Sequence, residues 1–188
     1  MSALLALLAD KSAERGDFVL ASGRRSTLYV DCRLTTMSPE GQLLVGRAGL
    51  AALRATGWPI DAVGGLTLGA DPISYAIAHT SALQAEAGTG STVRAFTVRK
   101  EAKQHGTAKL IEGPFRPGDR VVVVEDVITT GGSALKAVDA IRAVGGEVLG
   151  VLALVDREEG GREALEAAGL QVIRLVTARD LLPLIARR

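Results

Sequence analysis

The chain has 188 residues, 47% of them hydrophobic, which is enough for one packed core and too short for a second full domain. Its 22 basic and 21 acidic residues leave a net charge of +1. No global field therefore points to nucleic acid or a membrane surface, and an anion site has to arise from local clustering.

The opening Met1–Leu8 is apolar, has no basic leader, and runs straight into Asp10 and Lys11. It reads as a short amphipathic helix rather than a signal peptide. Phe18–Leu20 and Leu28–Asp31 read as two short strands joined by the polar turn Ser22–Ser26, a small hood over one end of the molecule. Cys32 is the one cysteine, so no intrachain disulfide can form; it reads as a small core or sheet residue in a reducing, cytoplasmic setting. Ser38-Pro39 and Asp71-Pro72 each look like an N-cap followed by proline at the first helical position. Ala62–Gly65 and Val93–Val98 are strand candidates, with Gln84–Thr92 an ordinary loop before the second. Val121–Val124 is a continuous β-branched run, expected of a strand buried on both faces. A helix opens at Ser133 and ends near Gly145-Gly146, followed by strands at Val148–Val155 and Val172–Leu175 and a last helix capped by Thr177. Strands alternating with helices predict an α/β fold, a central parallel sheet flanked by helices. No apolar run is long enough to span a bilayer. Trp58, Met37 and His79 read as structural, His79 as packed within a helix of small apolar residues.

The most informative segment is VVVVEDVITTGGSAL, Val121–Leu135. A buried strand ends in adjacent carboxylates, Glu125 and Asp126. A turn of Thr129, Thr130, Gly131, Gly132 and Ser133 then opens a helix. Open α/β sheets bind ligands beyond the carboxyl ends of their strands. A glycine-rich turn at a helix N-terminus presents N–H groups and the positive end of the helix dipole to an anion, typically phosphate. The spacing is neither a Walker A loop nor the dinucleotide fingerprint. Two carboxylates would repel a bare phosphate. They fit neighbouring hydroxyls, as on a ribose, or a divalent cation close by. A ribose 5-phosphate suits both halves.

The second informative segment is FTVRKEAKQHGTAKLIEG, Phe96–Gly113. It gathers Arg99, Lys100, Lys103, His105 and Lys109 around one early acid, Glu101. In a near-neutral protein such a string serves an anion or faces water. With little apolar anchoring between Lys100 and Lys109, it suits a mobile flap.

Val121–Leu135 closely resembles the phosphoribosyl pyrophosphate (PRPP) motif of the type I phosphoribosyltransferases. RKEAKQHG resembles the catalytic loop of the orotate phosphoribosyltransferases among them. The resemblance implies one domain over 1–188, with an N-terminal helix and hood segment over 1–35 and a flexible catalytic loop over 99–113. It implies transfer of the phosphoribosyl group from PRPP to orotate, giving orotidine 5′-monophosphate and pyrophosphate, a step of pyrimidine (UMP) biosynthesis. PRPP would meet Arg99, Lys100, Lys103, His105, Glu125, Asp126, Val127, Ile128 and the turn Thr129–Ser133, with Lys103, His105 and Asp126 catalytic. FVLASGRRSTLYVDCR, Phe18–Arg33, resembles the family's hood, which puts Tyr29 over the orotate ring. Many members carry Lys where Ala21 stands, and either Arg24 or Arg25 could substitute. Arg157, after the strand that ends at Val155, would hold the orotate carboxylate bidentately, with Thr129 bonding the same substrate; the competing reading pairs it with Asp156, Glu158 or Glu159. Gly64–Pro72 resembles the pyrophosphate loop, occupied by Thr67, Leu68 and Gly69, with Gly69 where many relatives carry Lys; as bare sequence it reads equally well as a tight turn.

The resemblance further implies Mg²⁺, carried through PRPP and water rather than by direct protein ligands, and a homodimer with active sites shared across the interface. A purine phosphoribosyltransferase would leave the basic loop and Arg157 unexplained. A PRPP-sensing regulator would carry a nucleic-acid-binding module or face, and a purely structural protein has no use for the acid pair.

Overall fold

The computed structural model describes residues 2–19, 25–101 and 109–186. Helix α1 (Ala3–Lys11) is capped by the Ser2 hydroxyl, which accepts from the Leu5 N–H at 3.2 Å, and it buries Leu4 and Leu8. An antiparallel pair follows, β1 (Ala13–Val19) and β2 (Arg25–Val30). These hood strands are longer than the sequence predicts at the outer end, because Ala13, Glu14 and Arg15 pair with Val30, Tyr29 and Leu28. The SGR part of the predicted turn, with Ala21 and Arg24, lies outside the described residues.

A short helix, α2 (Arg33–Thr36), leads into α3 (Pro39–Ala55), which starts on the expected Ser38 cap and Pro39. The body then alternates: β3 (Ala62–Leu66), α4 (Ala70–Glu86), β4 (Arg94–Val98), β5 (Ile111–Glu112), β6 (Arg120–Ile128), α5 (Gly132–Ala143), β7 (Glu147–Asp156), α6 (Gly161–Ala167), β8 (Val172–Thr177) and α7 (Ala178–Leu181). Strand order across the sheet is β5-β4-β3-β6-β7-β8, parallel except for the short edge strand β5.

Four local expectations change. Asp71 is not an N-cap: α4 begins at Ala70 after Gly69, and the Asp71 side chain serves other partners. The predicted loop Gln84–Thr92 is helical as far as Glu86, since Leu83–Glu86 complete the last turn of α4. The charged segment after β4 returns at Ile111 to pair antiparallel with Val98. His79 is exposed on α4 rather than packed. Trp58 keeps its structural role, lying close over Gly150 of β7.

Two apolar layers sandwich the sheet. Val122, Val124, Leu152 and Leu154 face α1, α3 and α4, while Val121, Val123, Val151 and Ala153 face α5 and Leu165 of α6. The period-2 alternation of a strand explains why a run of four valines feeds both layers. From β3 the chain moves outward to β4 and β5. It then returns to β6 on the other side of β3 and proceeds the opposite way. The loops after β3 and β6 thus diverge, opening a crevice at a topological switch point.

Candidate active site

A crevice of about 380 Å³ opens at that switch point. Its floor is the end of β6, with Glu125, Asp126 and Val127. One wall is the loop Thr67–Gly69 after β3. The hood contributes Tyr29, Val30 and Asp31, α2 contributes Arg33, and β7 ends there in Arg157. Lys100, at the root of the basic loop, and Thr129 and Ser133 complete it. A smaller adjoining cavity of about 180 Å³ is lined by Ile128, Thr129, Thr130, Gly131, Gly132 and Ser133 together with Glu125 and Val127. The acid pair and the hydroxyl-rich turn therefore share one continuous site, as the sequence anticipates.

The turn is shaped by backbone conformation. Gly131 has φ +80°, a left-handed value that costs glycine little, and a Cβ there would lie 2.9 Å from the Gly161 carbonyl. It serves as N-cap of α5 without any side-chain cap, so the first N–H groups of that helix have no capping hydroxyl of their own and face the small cavity.

The carboxylates are not ordinary. Burial pushes the Glu125 carboxyl up to about 8, helped by the negative charge of Asp126 and a hydrogen bond with it. Glu125 Oε2 is buried without a hydrogen-bond partner. Burial also raises Asp126, against hydrogen bonds from the Val127 N–H (2.9 Å) and its own N–H and the positive charge of Arg33. A buried oxygen with no partner is costly, and a donor such as a sugar hydroxyl removes that cost. Gly69 stands against this pair: a Cβ on it would collide with the Asp126 carboxylate. A side chain at this position would need the Asp126 carboxylate to move aside. The Leu68 and Gly69 N–H groups meet no acceptor among the described residues.

Arg157 is buried and donates to Ser26 of the hood at 2.6 Å and to Glu159 at 2.7 Å, while its Nε has no partner. It reaches the crevice and also makes one of the ion pairs foreseen as its competing role. Tyr29 is 43% exposed and tilts against Phe18, ring centroids 5.5 Å apart. Arg99 is not among the residues lining the crevice; its guanidinium lies 3.7 Å from Glu112 of β5. Lys103 and His105 lie outside the described residues. Sequence reasoning missed Asp31 and Arg33, a bidentate pair (2.8 and 2.9 Å) on the crevice rim. They lie just beyond the hood strand, and only folding brings α2 beside β6, where the Cys32 thiol donates to the Asp126 carbonyl at 3.6 Å. Burial pushes that thiol well up, so Cys32 is an inert packing residue, as predicted.

The phosphoribosyl transferase domain family matches residues 62–177, the stretch from β3 through β8. The orotate phosphoribosyltransferase of Rhodopirellula baltica is 46% identical over 184 residues, covering 96% of this chain and 93% of that protein. The Aquifex aeolicus orotate phosphoribosyltransferase is 49% identical over 172 residues, covering 92% and 90%. The chain belongs to the orotate phosphoribosyltransferases. Among solved structures, the Mycobacterium tuberculosis orotate phosphoribosyltransferase in complex with PRPP superposes with a TM-score of 0.76 at 43% identity, covering 95% of this chain and 96% of that one. The type I phosphoribosyltransferase fold expected from the acid pair and its turn is thereby established.

Proposed function

We propose that the protein transfers the phosphoribosyl group from PRPP to orotate in pyrimidine biosynthesis, forming orotidine 5′-monophosphate and releasing pyrophosphate. The observation that carries this is the buried, unpartnered Glu125 oxygen beside Asp126, continuous with the hydroxyl-rich turn Thr129–Ser133. The turn takes the 5-phosphate, and the carboxylates accept from the ribose hydroxyls. Arg157 and Thr129 hold orotate at the end of β7, with Tyr29 over the ring. The loop Thr67–Gly69 meets the pyrophosphate through the backbone N–H groups of Leu68 and Gly69, the Thr67 N–H being held by the Val98 carbonyl.

In the reaction the orotate ring nitrogen gives up its proton to solvent and forms a bond to the anomeric carbon as the carbon–oxygen bond to pyrophosphate breaks, the electron pair leaving with oxygen. Positive charge spreads over the sugar and negative charge grows on the leaving group. Lys100 at the crevice, and Lys103 and His105 of the basic loop, neutralise that growing charge, and His105 or Lys103 delivers a proton to it. Closure of residues 99–113 would also exclude water, which otherwise competes for the anomeric carbon.

The described residues contain no cluster of three or more potential metal ligands, and the carboxylates lining the crevice are the acid pair and Asp31, the latter paired with Arg33. This arrangement suits a hydrated Mg²⁺ carried by the pyrophosphate group, with Glu125 and Asp126 acting through hydroxyls or water. Mg²⁺ when bound would supply charge neutralisation on the departing pyrophosphate. Leu34 on α2, Met37 at its end, Leu68 of the β3 loop, which lines the crevice, and Tyr75 on α4 are each more than half exposed. Such an apolar surface beside a site suits a second copy of the chain, the homodimer with shared sites. No helix among the described residues is long and apolar enough to cross a membrane, and we place the reaction in the cytoplasm.

Incubating the protein with Mg²⁺, PRPP and orotate and following the loss of orotate absorbance tests the reading. Turnover with orotate is expected, and turnover with adenine or guanine instead would overturn the substrate assignment. Asp126→Asn should weaken PRPP use by roughly tenfold or more, the cost of losing a charged hydrogen-bond partner. Unchanged kinetics would count against the ribose role.

A further inference from the structure

Asp71 is a carboxylate that the reading above leaves unused. Both of its oxygens are committed to hydroxyls on different elements. Oδ2 accepts from Thr67 Oγ1 at 2.6 Å, and Oδ1 accepts from Thr97 Oγ1 at 2.8 Å. The Tyr75 hydroxyl, one turn along α4, bonds the same Thr97 oxygen at 2.9 Å. Thr67 opens the bare loop over the acid pair. Thr97 lies on β4 just before Arg99 and Lys100, where the basic loop departs. A backbone bond from the Thr67 N–H to the Val98 carbonyl (2.8 Å) runs beside these side-chain bonds. The carboxylate therefore fastens two segments that come from different strands and face the same end of the crevice.

A negative charge this close to a polyanionic ligand is unfavourable in itself. Its presence is explained by geometry, because a carboxylate can accept from two hydroxyls at once and stiffen both. We propose that Asp71 is a positioning residue for pyrophosphate. Through Thr67 and Thr97 it sets the loop Thr67–Gly69 in register with the root of the basic loop. The unclaimed N–H groups of Leu68 and Gly69 and the Lys100 ammonium then meet one leaving group without reorganisation. The inference rests on the reading of Thr67–Gly69 as the pyrophosphate loop.

Steady-state kinetics in both directions test it. Asp71→Asn should raise KM for PRPP, and for pyrophosphate in the reverse reaction with orotidine 5′-monophosphate, by roughly tenfold to a hundredfold, leaving KM for orotate unmoved. Thr67→Val should reproduce the change, and the double variant should be no worse than the more impaired single one, because both remove the same link. If Asp71→Asn fails to fold, Thr67→Val carries the test alone. An unchanged KM for pyrophosphate overturns the proposal. So does a lowered one, since removing a repelling charge without loss of geometry would tighten anion binding. Losses that multiply in the double variant overturn it as well. If the unsubstituted protein cleaves orotidine 5′-monophosphate with pyrophosphate while the variants match it, the inference falls and the loop reading stands. If the unsubstituted protein does not use pyrophosphate at all, both fall.

Discussion

Glu125 shows how far a single residue can depart from its type. Its carboxyl ordinarily titrates near 4.5, and burial first, then the Asp126 charge, lifts it to about 8. The unfolded chain loses this proton at the lower pH and the folded chain holds it to the higher one. Folding is therefore favoured in full below about 4.5, and that contribution fades as pH rises through about 8. The span corresponds to at most a few kcal/mol. Glu125→Gln, neutral at every pH, should unfold at a higher urea concentration than the unsubstituted protein at alkaline pH, with the gap closing toward acid. A gap that stays constant with pH would show that Glu125 is ionised in the fold. Above about pH 8 the same variant should bind PRPP less well, because an amide offers the ribose hydroxyls one acceptor oxygen where the ionised carboxylate offers two. Arg157 is a second case. Its type, its place after β7 and a pairing with Glu159 were legible in the sequence, but its bond to Ser26 came only from the fold, since Ser26 lies 131 positions away.

At the scale of the element, the strand–turn–helix of β6 and α5 was readable almost residue by residue. Its signals are local: a β-branched run, then an acid pair, then glycines that permit a left-handed turn. Gly131 is the hinge of that unit. Gly131→Ala should cost about 1 kcal/mol or more, from the positive φ and from the approach to the Gly161 carbonyl, with a raised KM for PRPP. Thermal unfolding and kinetics read the two effects separately, and an unchanged melting temperature would mean that the turn tolerates a side chain. Helix starts were legible where a side chain really caps, as at Ser38 and at Thr177, whose hydroxyl and Asp180 form a reciprocal cap. Asp71-Pro72 carries the same signature and misleads. There the carboxylate finds better partners in Thr67 and Thr97 than the helix N–H groups, and α4 starts earlier. The end of α4 was missed because Gln84–Glu86 carry no apolar period, while the turn they complete belongs to a helix already anchored by Ile73 and Ile77.

For the whole molecule, the crevice depends on strand order, with β3 and β6 adjacent although β4, β5 and the basic loop lie between them in the chain. The proposed shared site is a claim at this scale. Chains carrying Lys103→Ala and chains carrying Asp126→Asn should each be impaired roughly tenfold or more, and mixing them under conditions of subunit exchange should restore turnover above either alone. Mixtures that exchange subunits, shown by mass spectrometry of labelled chains, yet gain no turnover would contradict a loop acting in the partner's site.

Local chemistry alone determined the α/β class, the acid pair and its phosphate turn, and the basic string, because strand period, turn glycines and charge clustering act over a few neighbouring residues. Tertiary structure decided which of these meet. It brought the hood, Arg33 and Arg157 to one crevice, directed Arg99 toward Glu112, and tied Thr67 to Thr97 through Asp71. Such pairings follow from strand order and from the burial of carboxylates by distant segments, and no short window of sequence contains either.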